Sequence, residues 1–122
     1  EKGRAEPCHP RDENALRMLG VGRGFVGTRF KIIDDDRREL PDRSVGEIAI
    51  LSECLFNGYF NNPEVTAQKL DQGWYISGDL GYRADGILYV TGRKSDLIII
   101  GGENFYPQDI EYMVSEHAQV VA

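Results

Sequence analysis

The sequence is poor in the residues that would commit it to a metal, a membrane or a nucleic acid. Among 122 residues there are two Cys and two His. Cys8 and Cys54 lie far apart, in neither a CxxC nor a metal-ligand spacing, so two reduced thiols in a cytoplasmic protein are expected. His9 and His117 fall in no ligand spacing either, and no metal site is expected. No apolar run approaches the roughly 20 residues that span a bilayer, and the opening EKGRAEP has no signal-peptide core. Positive charge is also scarce. Fourteen Lys and Arg against 20 Asp and Glu leave a net charge of −6, which argues against a phosphate-backbone partner. An initiator Met is missing, and the end at QVVA reads as a strand; both are taken as the marks of a piece from a longer chain.

What is present is enough for a core, since 41% of the residues are hydrophobic. Residues 1 to 20 mix charge and proline and read as a surface loop, with at most a short helical turn at ALRML. Alternation begins at TRFKIID (28 to 34) and resumes at GEIAIL (46 to 51) after a charged turn, giving strand, turn, strand. Asn57-Gly58 predicts a reversal. Asn62, Pro63 and Glu64 then supply an N-cap, a first helical position and an acidic first turn for a short helix that ends before Gly73. WYISGDLGYR and ILYVTGR flank Ala84-Asp85-Gly86 and read as a hairpin. LIII follows as a buried-looking strand. From Pro107 a helix places Ile110, Met113 and Val114 on one face, with Asp109 and Glu111 early and His117 near its end. The expected fold is α+β, with a β-rich body over roughly residues 22 to 91. The residues after Asp96 are too few to bury a core alone, so they should lie on that body or belong to a second domain.

Three stretches carry candidate chemistry. Ser77-Gly78-Asp79 sits between two strands, where a carboxylate can accept two hydrogen bonds from a vicinal diol such as a ribose; an Asp that caps its own turn is the plainer alternative. Gly92-Arg93 either aims a guanidinium at a phosphate or sugar or makes a surface ion pair. Gly101-Gly102 either lets a ligand approach the backbone or closes a turn after LIII. Trp74, Tyr75, Tyr82 and Tyr89 read as sheet face rather than as a stacking platform.

Taken together, the order of these stretches resembles the adenylate-forming ligase superfamily of acyl-CoA synthetases, fatty acyl-AMP ligases and amino-acid adenylation domains. GEIAILSECLFNGYFNNPEVT resembles its GEhxhxGxxhxxGYxxxPExT segment, where h is apolar; WYISGDLG resembles WxxTGDhG, and GRKSDLIIIGGENFYPQDIE resembles GRxxDxhxxxGxxhxPxxIE. The match covers most of the chain. It implies that residues 1–91 are the end of a large N-terminal domain, with a distorted β-barrel subdomain, and 92–96 a hinge. Residues 97–122 are then the strand-helix-strand start of a small mobile C-terminal domain.

Asp79 takes the place of the family's ribose-binding aspartate, and Arg93 that of the arginine facing the same ribose. Gly101 and Gly102 take the place of a loop presented to a pantetheine thiol. Such enzymes use ATP, with Mg2+, to convert a fatty or other carboxylic acid to an acyl-adenylate. They then pass the acyl group to CoA or to the phosphopantetheine of an acyl carrier protein, with AMP released. The family's phosphate loop and late lysine have no counterpart in this sequence, so no catalytic residue is assigned and the chain alone is expected to be inactive.

At the hinge the family usually has Asp or Lys two places after the arginine; here that place is Ser95, between Lys94 and Asp96. This leaves open which charge, if any, fixes one end state. The GRAEP opening and YPQDIE resemble long-chain fatty acyl-AMP ligases, whereas GGEN resembles CoA synthetases. A non-catalytic β-rich interaction module derived from such a ligase is the alternative.

Overall fold

The computed structural model describes residues 3–9, 11–12, 18–24, 26–55 and 61–115. The expected reversal at Asn57-Gly58, most of the ALRML turn, His117 and the closing strand at QVVA lie outside the described residues.

A short strand, β1 (Gly20–Gly22), precedes β2 (Thr28–Ile33) and β3 (Gly46–Ser52). Helix α1 (Pro63–Lys69) leads through the two-residue β4 (Leu70–Asp71) into the long β5 (Trp74–Ala84), and β6 (Ile87–Arg93) returns antiparallel to it. Lys94–Asp96 form one 3-10 turn, after which β7 (Ile98–Ile100), β8 (Glu103–Phe105) and helix α2 (Pro107–Ser115) make a projecting arm. The sheet order is β1-β6-β5-β3-β2, with β4 added beside β5; every pairing is antiparallel, and β7 and β8 form their own two-stranded sheet. The α+β class holds. The larger sheet is open among the described residues, with β1 and β2 at its edges, rather than closed into a barrel.

Local chemistry accounts for most boundaries. Asn62 Oδ1 accepts the Val65 amide at 3.1 Å, Pro63 opens α1, and α1 stops where Leu70 turns extended. Asp85 and Gly86 have φ of 53° and 76°, the left-handed pair that a two-residue hairpin needs between β5 and β6. Tyr82 and Tyr89 sit opposite each other on that hairpin with rings stacked at 4.9 Å.

The core is small and two-sided. Ile33, Ala49 and Ile76 cluster on one face with Trp74 packed against them, while Ile32 and Ile48, paired across β2 and β3, are buried as well. Trp74 is also covered by Lys31, whose ammonium lies 4.4 Å from the ring centroid.

Two expectations change. Ser77-Gly78-Asp79 does not lie in a turn between strands but inside β5, where Ile48 alone stands opposite the three residues and Gly78 takes φ 82°. The strand stays continuous because the extra residues bulge outward while the pairing with β6 runs on to Asp79. The LIII run is not buried: Ile99 is 66% exposed, and the apolar face of α2 is also open, with Met113 at 73%. The arm's apolar residues therefore do not complete the core of the sheet.

Gly81 marks the tightest approach in the sheet. A Cβ there would lie 2.3 Å from the Tyr89 carbonyl oxygen and 3.0 Å from Ile48 Cδ1. Because the first neighbour is backbone of a paired strand, Gly81→Ala is expected to destabilise the chain by roughly 1–3 kcal/mol or more. Asn62→Ala, which removes only a helix cap, should cost about 1 kcal/mol. Urea unfolding monitored by Trp74 fluorescence checks both, and equal midpoints for the two variants would contradict this account.

Candidate functional site

The bulge in β5 lifts Asp79 out of the regular ladder. Gly78 supplies the left-handed turn, and the Asp79 amide donates to Ser77 Oγ at 3.0 Å, which satisfies the backbone locally and leaves the carboxylate outward. Asp79 lies opposite Arg93 at the end of the β5–β6 ladder. Their side chains approach to 3.8 Å, Nε to Oδ1, and are 43% and 74% exposed respectively. An ion pair this long and this wet contributes little by itself, so both groups retain capacity for a ligand. The two stand at an open depression of about 630 Å³ whose lining includes Glu47, Lys69, Tyr75, Asp79, Arg93 and Ser95.

Lys69, in the last turn of α1, reaches the same depression. Its Nζ lies 3.2 Å from where a Cβ on Gly78 would stand, so a side chain at 78 would meet the ammonium as well as a strained backbone. The site thus sets the exposed carboxylate of Asp79 beside Lys69 and Arg93 at a polar hollow that the shielded Glu47 also lines. That suits a ligand offering a diol together with negative charge.

The residues expected at the hinge divide. Ser95 Oγ donates to the neighbouring Asp96 Oδ1 at 2.9 Å. Lys94 turns back to the sheet, donating to Asp35 Oδ1 at 2.8 Å and Glu47 Oε2 at 2.9 Å. Asp35 contributes most to holding the Lys94 ammonium above its ordinary pKa, Glu47 comes next, and Lys94 in turn pulls Asp35 below the usual carboxylate range. Asp35 is 91% exposed, however, whereas Glu47 is 11% exposed, so water and salt screen the first contact far more than the second.

Asp79, Arg93, Lys94 and Ser95 all border the depression, and Asp96 does not. Gly101 and Gly102 lie elsewhere. With φ of 60° and 80° they close the β7–β8 turn, and a Cβ at either would meet nothing within 4 Å. Lys69, Glu47 and Asp35 are the contributors that sequence reasoning missed. A charged residue opening the GEIAIL strand was the one signal for Glu47; Lys94 lies 59 and 47 positions from its two partners, beyond any local pattern. Among the described residues no three His, Cys, Asp or Glu side chains converge as a metal site.

Known proteins give this geometry a family. The chain is 42% identical over 102 residues to a medium-chain fatty-acid–CoA ligase of Escherichia coli K12, covering 81% of this chain and 18% of that protein. It is 38% identical over 104 residues to a fatty acid–[acyl-carrier-protein] ligase, ScoC of Streptomyces coeruleorubidus, covering 84% and 20%. A solved structure among the fatty acyl-adenylate ligases from E. coli and L. pneumophila superposes with a TM-score of 0.84 at 35% identity, over 98% of this chain and 22% of that one. The chain belongs to the adenylate-forming ligase superfamily. It spans about a fifth of the length of the curated relatives it matches. No family model matches the chain. Within this superfamily fold, no helix among the described residues is long and apolar enough to cross a membrane.

The Lys94 contacts carry a pH signature. A raised lysine pKa means stability present in full below the unfolded value near 10.5 and lost as pH rises through the folded one. The lowered Asp35 pKa means stability present above the unfolded 3.8 and lost as pH falls through the folded value. The stability difference between the wild-type chain and Lys94→Met should accordingly be flat from about pH 5 to about pH 9 and shrink on either side. Urea midpoints across that range check it.

Proposed function

We propose that this chain is the part of an ATP-dependent acid–thiol ligase that grips the nucleotide ribose and carries the pivot of the enzyme. The observation that carries the reading is the outward Asp79 on the β5 bulge, facing Arg93 one step before the sheet gives way to the 3-10 turn. A carboxylate half-exposed at the mouth of a hollow of about 630 Å³ fits a vicinal diol, which needs two acceptors and room. In this reading Asp79 accepts a hydrogen bond from each ribose hydroxyl, and Arg93, beside it at 3.8 Å, faces the sugar.

The parent enzyme would join a fatty or other carboxylic acid to AMP with loss of pyrophosphate, then transfer the acyl group to a thiol with loss of AMP. CoA and a carrier-protein phosphopantetheine are the two acceptors, matching the two kinds of ligase among the relatives. Mg2+ would accompany the ATP phosphates. Residues 1–91 would serve the nucleotide, 92–96 the pivot, and 97–122 the mobile part. The open turn at Gly101-Gly102 suits close passage of a pantetheine arm, because neither glycine has a neighbour to displace. The cytoplasm, where ATP and CoA are available, is the proposed compartment.

The test is calorimetry and pyrophosphate release in the full-length ligase that contains this segment. Asp79→Ala removes a charged acceptor from the diol and is expected to weaken ATP binding by roughly 1.5–3 kcal/mol, a factor of about ten to a hundred or more. The chain by itself should release no pyrophosphate from ATP and a fatty acid. Unchanged ATP affinity in Asp79→Ala, or release by the isolated chain that survives the substitution, overturns the assignment.

A further inference from the structure

The arm is joined to the sheet by very little. β7 and β8 make their extensive contacts with each other, and α2 touches the sheet at β6, where Tyr106 lies 3.7 Å from the position of a Cβ on Gly92. Between arm and sheet runs a cleft of about 400 Å³ bordered by Ile33, Leu80, Leu97, Ile99, Asn104 and Tyr106. A packed apolar interface would have no such gap, because close-packed interiors leave few voids larger than a water molecule. Apolar packing therefore does little to determine the direction of the arm.

Lys94, on the turn between sheet and arm, makes strong directional contacts at this gap. Lys94 donates to Asp35 in the loop after β2 and to Glu47 at the start of β3, so three separate segments converge on one ammonium. Glu47 is well shielded, and a shielded carboxylate that loses its cation must regain water or another partner. Ser95 has no comparable role: its hydroxyl is engaged with Asp96, the next residue. The positively charged neighbour Arg93 points to Asp79 instead.

We propose that Lys94 is the latch of the pivot: its ion pairs to Glu47 and Asp35 hold residues 97–115 at the angle seen here, and breaking them releases the arm to other orientations. This rests on the reading of residues 92–96 as a pivot and adds the contact that defines one end state. Lys94 is a positioning residue, acting on the direction of the arm and not on a substrate. Glu47 is the stronger anchor and Asp35 the weaker, in line with their exposure.

A distance measurement tests this on the chain itself. Nitroxide labels are placed on the native Cys54, in the turn two residues beyond the end of β3, and on Glu111→Cys in α2, in a Cys8→Ser background. Pulsed dipolar spectroscopy then reads the spacing between sheet and arm. The parent is expected to give one dominant distance. Lys94→Met and Glu47→Gln should shift the ratio of this distance to others by roughly tenfold, Asp35→Asn by much less, and Lys94→Arg should restore the dominant distance. Circular dichroism confirms that each variant keeps its strands; if Lys94→Met does not, Lys94→Gln takes its place. Distributions for the Lys94 and Glu47 variants that overlay the parent overturn the latch. No nucleotide is used, so a chain that fails to bind ribose sinks the functional reading without touching this readout. A single fixed distance in every variant sinks the latch even where Asp79 binds ribose.

Discussion

The ladder joining β3, β5 and β6 is the constraint on which the rest depends. At Gly81 the backbone of β6 comes so close that no side chain fits, and a few residues earlier β5 must absorb three residues opposite one. The tight register at Gly81 and the bulge at Ser77–Asp79 belong together. Because the strands are locked on one side of the bulge, the surplus chain has nowhere to go but outward, and it takes Asp79 with it. A carboxylate on such a bulge is held by backbone hydrogen bonds rather than by a flexible loop, which suits the role proposed for it, meeting a sugar at fixed distance.

The same ladder ends abruptly. Arg93 is still paired with Asp79, and the next residue already belongs to the 3-10 turn. One side of this boundary is a sheet with a buried core; the other is an arm with its isoleucines and the apolar face of α2 in solvent. Tight backbone pairing that gives way to an arm with exposed apolar residues is what supports the proposed pivot. The chemistry of the site straddles the boundary, with Asp79 and Arg93 on the sheet and Lys94 and Ser95 on the turn, all at one depression.

Much of the fold was readable because it depends on short-range rules. Asn62, Pro63 and Glu64 start a helix wherever they occur together, and Asp85-Gly86 turns a hairpin because both residues tolerate positive φ. The alternation of TRFKII and GEIAIL likewise declares strands, although not that both Ile32 and Ile33 would be buried, since that needs cover on two faces of the sheet. The motif order made Asp79 and Arg93 candidates. It did not reveal that Asp79 rides on a bulge within a continuous strand, because register is a property of two strands and not of one.

By itself, then, the order of residues determined most of the elements and their turns, which follow from backbone preference and spacing along the chain, while the pair of charged groups worth watching came from the resemblance of its motifs to a family. Tertiary structure alone decided that LIII faces water and that Lys94 reaches back to Asp35 and Glu47. It also decided that Lys69 of α1 stands beside Gly78. The physical reason is the same in each case. An apolar run signals that it can be buried but not whether anything is there to bury it, and a charge signals that it seeks a partner but not which distant carboxylate the fold will bring within 3 Å.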